Sequence, residues 1–150
     1  MGSGHEPFMR EALAEAARAG AAGEVPIGAV VVRDGAIVGR GCNQSIAAAD
    51  PTAHAEVVAL REAARAAGNY RLSGAELYVT IEPCLMCLGA ILHARVASVV
   101  FGARDPRGGA VRSLLDPAAL PLNHRFDVAE GILEAECRGL LQEFFRAKRA

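Results

Sequence analysis

Residues 6–20 place apolar and charged side chains at helical spacing and end at Gly20, which predicts a first helix. From Pro26 to Val32 the pattern changes to an unbroken, β-branched apolar run. Asp34-Gly35 then supplies a hairpin turn and Ala36 to Cys42 a second strand, so the two are expected to pair antiparallel and to lie mostly buried. Helical spacing returns from about Pro51 to Ala66 and stops at Gly68-Asn69. Ala75 to Ile81 reads as a third strand, Cys84 to His93 as a third helix and Ala97 to Phe101 as a fourth strand. Two successive strand–helix–strand steps imply parallel pairing across this later part of the sheet. Gly102 to Pro121 holds three prolines and three glycines, with few apolar residues before Leu114. It predicts a functional loop with a short helix near Leu114. Asp127-Val128 is a short strand, and Ile132 to Arg149 a final amphipathic helix.

This order is that of an α/β protein. At 150 residues the chain is expected to form a single domain, 1–150, burying about two-thirds of its unfolded surface. Met1-Gly2-Ser3-Gly4 has the composition of an added tail. No signal-peptide pattern precedes the charged first helix, and no apolar run approaches the roughly twenty residues of a membrane span. Four cysteines are too few for a disulfide framework, so a reducing cytoplasm is expected. A net charge of −1 excludes a generally basic coat, and any polyanionic partner must meet a local patch.

The candidate chemistry lies in two strings, His54-Ala55-Glu56 and Pro83-Cys84-Leu85-Met86-Cys87. One His and two Cys match the three protein ligands of a catalytic zinc site, whose fourth position is left to water. Cys84 and Cys87 would lie about 60° apart on one helical face, with Pro83 suited to the helix start and the helix dipole favouring both thiolates. His54 and Glu56 would project about 200° apart on an ideal helix. Both can serve one centre only from a frayed first turn, for which Asp50-Pro51-Thr52 supplies a cap and a proline. Glu56 is not needed as a ligand and is placed to move protons while zinc lowers the pKa of a bound water towards roughly 7. Two bland alternatives are a Cys-x-x-Cys redox pair and half of a structural zinc site. Neither calls for His-x-Glu, and no spacing recommends Cys42, Cys137, His93 or His124 as a fourth ligand. Cys42 and Cys137 read instead as small buried hydrophobes.

The two strings resemble the His-x-Glu and Pro-Cys-x-x-Cys signature of zinc deaminases that act on nucleobases. Beyond them, Glu24 to Val30, Asp50 to Glu56, Asn69 to Leu72, Leu77 to Cys87, Val99 to Asp105, Leu122 to Arg125, Glu130 to Cys137 and the ending Phe144-Phe145-Arg146 with Lys148-Arg149 resemble the bacterial tRNA-specific adenosine deaminases. That resemblance implies a cytidine deaminase-like three-layer α/β/α fold with a central mixed five-stranded sheet. It also implies one zinc ion per subunit on His54, Cys84 and Cys87, Glu56 as the proton shuttle, and hydrolysis of the amidine C–N bond of adenosine 34 in a tRNA anticodon. The target base would flip into an apolar pocket near Ile27 and Gly28, with Asn43 bonding the purine or its ribose. Arg104 and Asp105 would hold flanking nucleotides, Asn123 and His124 would line the same groove, and Phe145, Arg146 and Arg149 would meet the anticodon stem. A cytoplasmic homodimer binding the tRNA anticodon stem-loop is the implied assembly. The chain departs from the family at Val111-Arg112, where small residues are usual, and Asp116 to Pro121 is about one residue short. Two rivals remain: a deaminase of free guanine, cytosine or a cytidine nucleotide, and a structural-zinc RNA-binding module.

Overall fold

A computed structural model describes residues 4–149. Met1 to Ser3 of the expected tail, and Ala150, lie outside the described residues. Four helices, α1 (Glu6–Ala21), α2 (Ala55–Ala67), α3 (Leu85–Ala94) and α4 (Glu134–Arg149), enclose five strands: β1 (Gly28–Arg33), β2 (Ala36–Cys42), β3 (Glu76–Ile81), β4 (Ser98–Ala103) and β5 (Asp127–Ala129). The sheet order is β2-β1-β3-β4-β5. β1 pairs antiparallel with β2 and β3, whereas β3–β4 and β4–β5 are parallel. The expected mixed five-stranded sheet is what forms.

Strand alternation sorts the core onto two faces. Ala29, Val31, Leu77, Val79, Val99 and Phe101 pack under α2 and α3, while Val30, Val32, Tyr78 and Val100 pack against α1 and α4. The strands read as continuous apolar runs because both faces are covered. The β1–β2 turn puts Asp34 and Gly35 at φ 52° and 76°, as a two-residue primed hairpin requires. α2 lies so close to β2 that a Cβ on Gly41 would strike the backbone of Ala55 and Ala59. That close approach sets the start of α2, and so His54, against the sheet.

Three differences from expectation have a local cause. α2 starts at Ala55 and not at Pro51, because His54 is extended at φ −76° and ψ 155°, and the Asp50 carboxylate closes only a local turn, accepting from the Thr52 N–H and hydroxyl at 2.8 and 2.7 Å. The short helix of the long loop is a single 3₁₀ turn at Pro117–Ala119, and not near Leu114. Asp116 caps it by accepting from the Ala118 N–H at 3.0 Å. α4 starts at Glu134 rather than Ile132, since Leu133 adopts left-handed geometry at φ 52°. No helix among the described residues is long and apolar enough to cross a membrane.

Candidate active site

The site forms where β3 ends and two helices begin, at the carboxyl ends of the parallel strands, where open α/β sheets place their ligands. Cys84 occupies the cap position of α3 with extended backbone, and Cys87 follows in its first turn. His54 is the residue before α2, also extended at φ −76° and ψ 155°. The separation of about 200° that an ideal helix would impose on His54 and Glu56 is thereby avoided. One residue stands outside the helix, and the other points from its first turn into the same site.

His54 Nδ1 lies 3.6 Å from both Cys84 Sγ and Cys87 Sγ, and the three ligand atoms fall within 4.8 Å of one another. Tetrahedral zinc with Zn–N near 2.05 Å and Zn–S near 2.3 Å puts neighbouring N and S ligands about 3.6 Å apart, so the donor set fits the ion. The thiols are prepared for it. A hydrogen bond from Cys87 holds the Cys84 thiol down to about 5, with the Cys87 N–H and His54 helping and burial opposing. Cys87 is correspondingly held far above its usual value, first by sharing its proton with Cys84, then by burial and by Glu56. Two thiols sharing one proton are a site that a divalent cation completes.

Glu56 is 4% exposed, and burial pushes its carboxyl up to about 7, with the negative Cys84 adding to the rise and its own backbone N–H and His54 opposing. A carboxyl near 7 can both take and give a proton at neutral pH. Asn43 joins the same site. Its Oδ1 accepts from the Ala55 N–H at 2.8 Å, capping α2, and its own N–H donates to the Ile27 carbonyl at 3.1 Å. The structure therefore brings Ile27, Asn43, His54, Glu56, Cys84 and Cys87 together. Gly28 adjoins them through its backbone, donating to Thr80 Oγ1 at 3.2 Å, while a Cβ on it would meet the backbone of α1.

The remaining candidates spread over a wider surface. Arg104 follows the carboxyl end of β4 and forms a two-pronged pair with Glu130, at 2.7 and 3.1 Å. Asp105 Oδ1 accepts from the Arg107 N–H at 3.1 Å. Arg112 does not extend outward: it folds back between Asp116 and Glu130, 3.5 Å from each. Asn123 and His124 sit near the opposite, amino end of β4, where the Arg95 guanidinium donates to the Asn123 carbonyl at 3.3 Å and His124 Nε2 to the Val96 carbonyl at 2.8 Å. They do not share a groove with Arg104. His124, but not Asn123, lines a cavity of about 980 Å³ together with Arg71, Arg95, Arg112 and Arg125. On α4, Phe145 is 42% exposed and Arg146 and Arg149 face solvent, whereas Phe144 is half-buried with Lys148 5.3 Å above its ring. Cys42 and Cys137 are buried free thiols away from the ligand cluster.

Sequence reasoning missed two buried carboxylates that hold loops beside the site, Glu24 and Glu82. Glu24 accepts from the Ile46 and Ala47 N–H groups at 3.1 and 2.8 Å, holding the turn that follows Asn43. Glu82 holds the 105–113 loop. Burial alone would raise its carboxyl, but hydrogen bonds from Ser113, Arg112 and Asp105 outweigh that and keep it below the usual range. A glutamate between an apolar strand and a Pro-Cys ligand string was the available signal.

Fold and site together define a zinc-dependent deaminase of the cytidine deaminase-like class. The profile of the cytidine and deoxycytidylate deaminase zinc-binding region matches residues 3–103. Curated tRNA-specific adenosine deaminases are similar over nearly the whole chain. That of Haemophilus influenzae is 49% identical, covering 96% of this chain and 84% of its own, and that of Bacillus subtilis is 48% identical, covering 96% and 90%. A solved tRNA:A34 deaminase, from a study of A-to-I editing at the wobble position of transfer RNA, superposes with a TM-score of 0.87 at 47% identity, covering 89% of this chain and 98% of that one. Guanine deaminase of Bacillus subtilis superposes less well, with a TM-score of 0.65 at 40% identity over 80% of this chain and 71% of that one. The chain belongs to the tRNA-specific adenosine deaminase family, and its His54, Cys84 and Cys87 are positioned to hold a metal ion.

Proposed function

We propose that this protein hydrolyses adenosine 34 of a tRNA anticodon to inosine and ammonia, as a cytoplasmic homodimer with one zinc ion per subunit. The observation that carries the reading is the likeness to tRNA-specific adenosine deaminases, which extends from the zinc strings into the 104–113 loop and α4. The donor geometry supports the chemistry, because the His54, Cys84 and Cys87 ligand atoms meet with the edge length of a zinc tetrahedron.

When bound, zinc supplies the Lewis acidity that makes hydroxide available near neutral pH. Every other task falls to side chains. Glu56 takes a proton from water, delivers it to N1 of the purine, and returns a second to the amine as the C6–N bond breaks. Water's oxygen remains on C6 as the new carbonyl. Burial of Glu56 keeps its two protonation states close in energy. Asn43 spends its carbonyl on α2 and keeps its amide N–H₂ to donate to the base or ribose. Unpaired anticodon bases cost little to flip, so no duplex-opening element is called for.

For the flanking nucleotides we assign Arg104 and Asp105 on the loop, and Phe145, Arg146 and Arg149 along the stem; the exposure of Arg104, Phe145, Arg146 and Arg149 supports this. Asn123 and His124 can join that groove only from a partner subunit, since their own Arg104 lies at the other end of β4. Homodimerisation is supported by the outer face of α3, where Leu85 is 66% and Met86 36% exposed. Incubation with an adenosine-34 tRNA transcript, followed by sequencing for inosine, tests the reading. Turnover of free guanine or cytidine with an untouched tRNA would refute it.

A further inference from the structure

Glu82 stands two residues before a zinc ligand yet takes no part in the mechanism above. It is 3% exposed. Its Oε1 accepts from the Asp105 N–H at 3.0 Å and the Ser113 hydroxyl at 2.5 Å, and its Oε2 from the N–H groups of Val111, Arg112 and Ser113 at 3.0, 2.7 and 2.8 Å. Five donors of one loop therefore converge on one side chain, which only an ionised carboxylate has the acceptor capacity to receive. Gly109 passes directly over it, and a Cβ there would strike the carboxylate carbon and both oxygens. The same loop touches the ligand string through its main chain: Gly109 bridges Cys84, and the Ala110 N–H donates to the Pro83 carbonyl at 2.8 Å.

We infer that Glu82 is a positioning residue that presets the 105–113 loop for the RNA strand flanking the target base. It acts through Asp105 and the loop backbone and touches no reacting atom. The inference rests on the tRNA reading proposed above. A loop already held in its working shape loses little conformational freedom when RNA arrives, so its preorganisation appears in substrate affinity and leaves the chemical step alone. The Cys84–Gly109 bridge and the three zinc ligands do not involve the Glu82 side chain. Zinc retention is therefore expected to be independent of it.

Glu82→Gln replaces one acceptor oxygen with a donor, leaving either the Asp105 N–H or the triple set at 111–113 facing an N–H₂ group. The zinc-loaded variant, assayed on an adenosine-34 anticodon stem-loop, is expected to show KM raised about tenfold, kcat within about threefold and unchanged zinc content. Hydrogen exchange on the RNA-free enzyme is expected to show faster exchange confined to the amides of 105–113. Ser113→Ala removes one bond without burying an unmatched group and is expected to raise KM about threefold, which decides the matter if Glu82→Gln does not fold. An unchanged KM in folded variants overturns the inference, as does unchanged exchange in the loop or a fall in kcat with loss of zinc. Failure of the wild type on the same RNA would overturn the tRNA reading instead. The exchange arm, which needs no substrate, would still judge the loop.

Discussion

Asn43 is assigned two tasks that a pair of substitutions can separate. Its Oδ1 caps α2 through the Ala55 N–H at 2.8 Å, while its N–H₂ group is left to donate to substrate. Asn43→Ala removes both. Loss of a capping side chain costs about 1 kcal/mol, which for a domain of this size lowers Tm by roughly 2–4 °C. Asn43→Asp keeps an acceptor at the start of α2, where the helix dipole favours a negative charge, and its Tm is expected to stay within about 1 °C of wild type. It nevertheless lacks the donor. A lost substrate hydrogen bond is worth about 1–3 kcal/mol, so both variants are expected to lose roughly 10- to 100-fold in kcat/KM on an adenosine-34 stem-loop. Thermal unfolding and single-turnover kinetics on zinc-loaded protein provide the two readings. If Asn43→Asp is as unstable as Asn43→Ala, the capping assignment is wrong. If it deaminates normally, the donor assignment is wrong.

Three further outcomes follow from the site. Glu56→Gln, isosteric but unable to carry protons, is expected to bind a full equivalent of zinc and to lose roughly 10²- to 10⁴-fold in kcat; near-normal inosine formation by the zinc-loaded variant would exclude Glu56 as the shuttle. Because Cys84 is held down to about 5 while Cys87 keeps the shared proton, zinc uptake by metal-free protein at pH 7 is expected to release about one proton. Calorimetry in buffers of different ionisation enthalpy measures it, and buffer-independent heats would contradict the proton-sharing pair. Glu82 has a depressed carboxyl, so its stabilisation is present above the unfolded carboxyl value of about 4.3 and is lost as pH falls through the lower folded value. Tm between pH 3 and 6 is expected to fall less steeply in Glu82→Gln than in wild type, and parallel curves would show that the loop bonds carry no such linkage.

Much of this molecule is written in short stretches of chain. The β-branched run at 26–32, Asp34-Gly35 and the strand from Ala36 gave a hairpin, and the helical spacing of 6–20 gave α1, each close to the expected limits. The zinc strings were equally legible, because the chemistry of His, Cys and Glu and the spacing of Cys84 and Cys87 narrow the choices to a few metal sites. Their signals come from residues within a turn or two of one another.

What escaped the sequence is long-range. The Asp50-Pro51 start signal closes only a local turn, since His54 is extended and α2 begins after it, where Asn43 reaches 12 residues ahead to cap it. Arg112 stood out in the sequence only as a departure from the family, and the fold seats it between Asp116 and Glu130. Asn123 and His124 looked like neighbours of Arg104, but the parallel crossover to β5 leaves them at the far end of β4. Glu82 had no apparent role until the fold returned Ser113, 31 residues later, to its carboxylate. Local pattern thus determined the elements, the metal and the class of chemistry. The tertiary structure decided which polar groups meet, because a buried carboxylate or amide takes whatever donors the topology brings to it and pays heavily for having none.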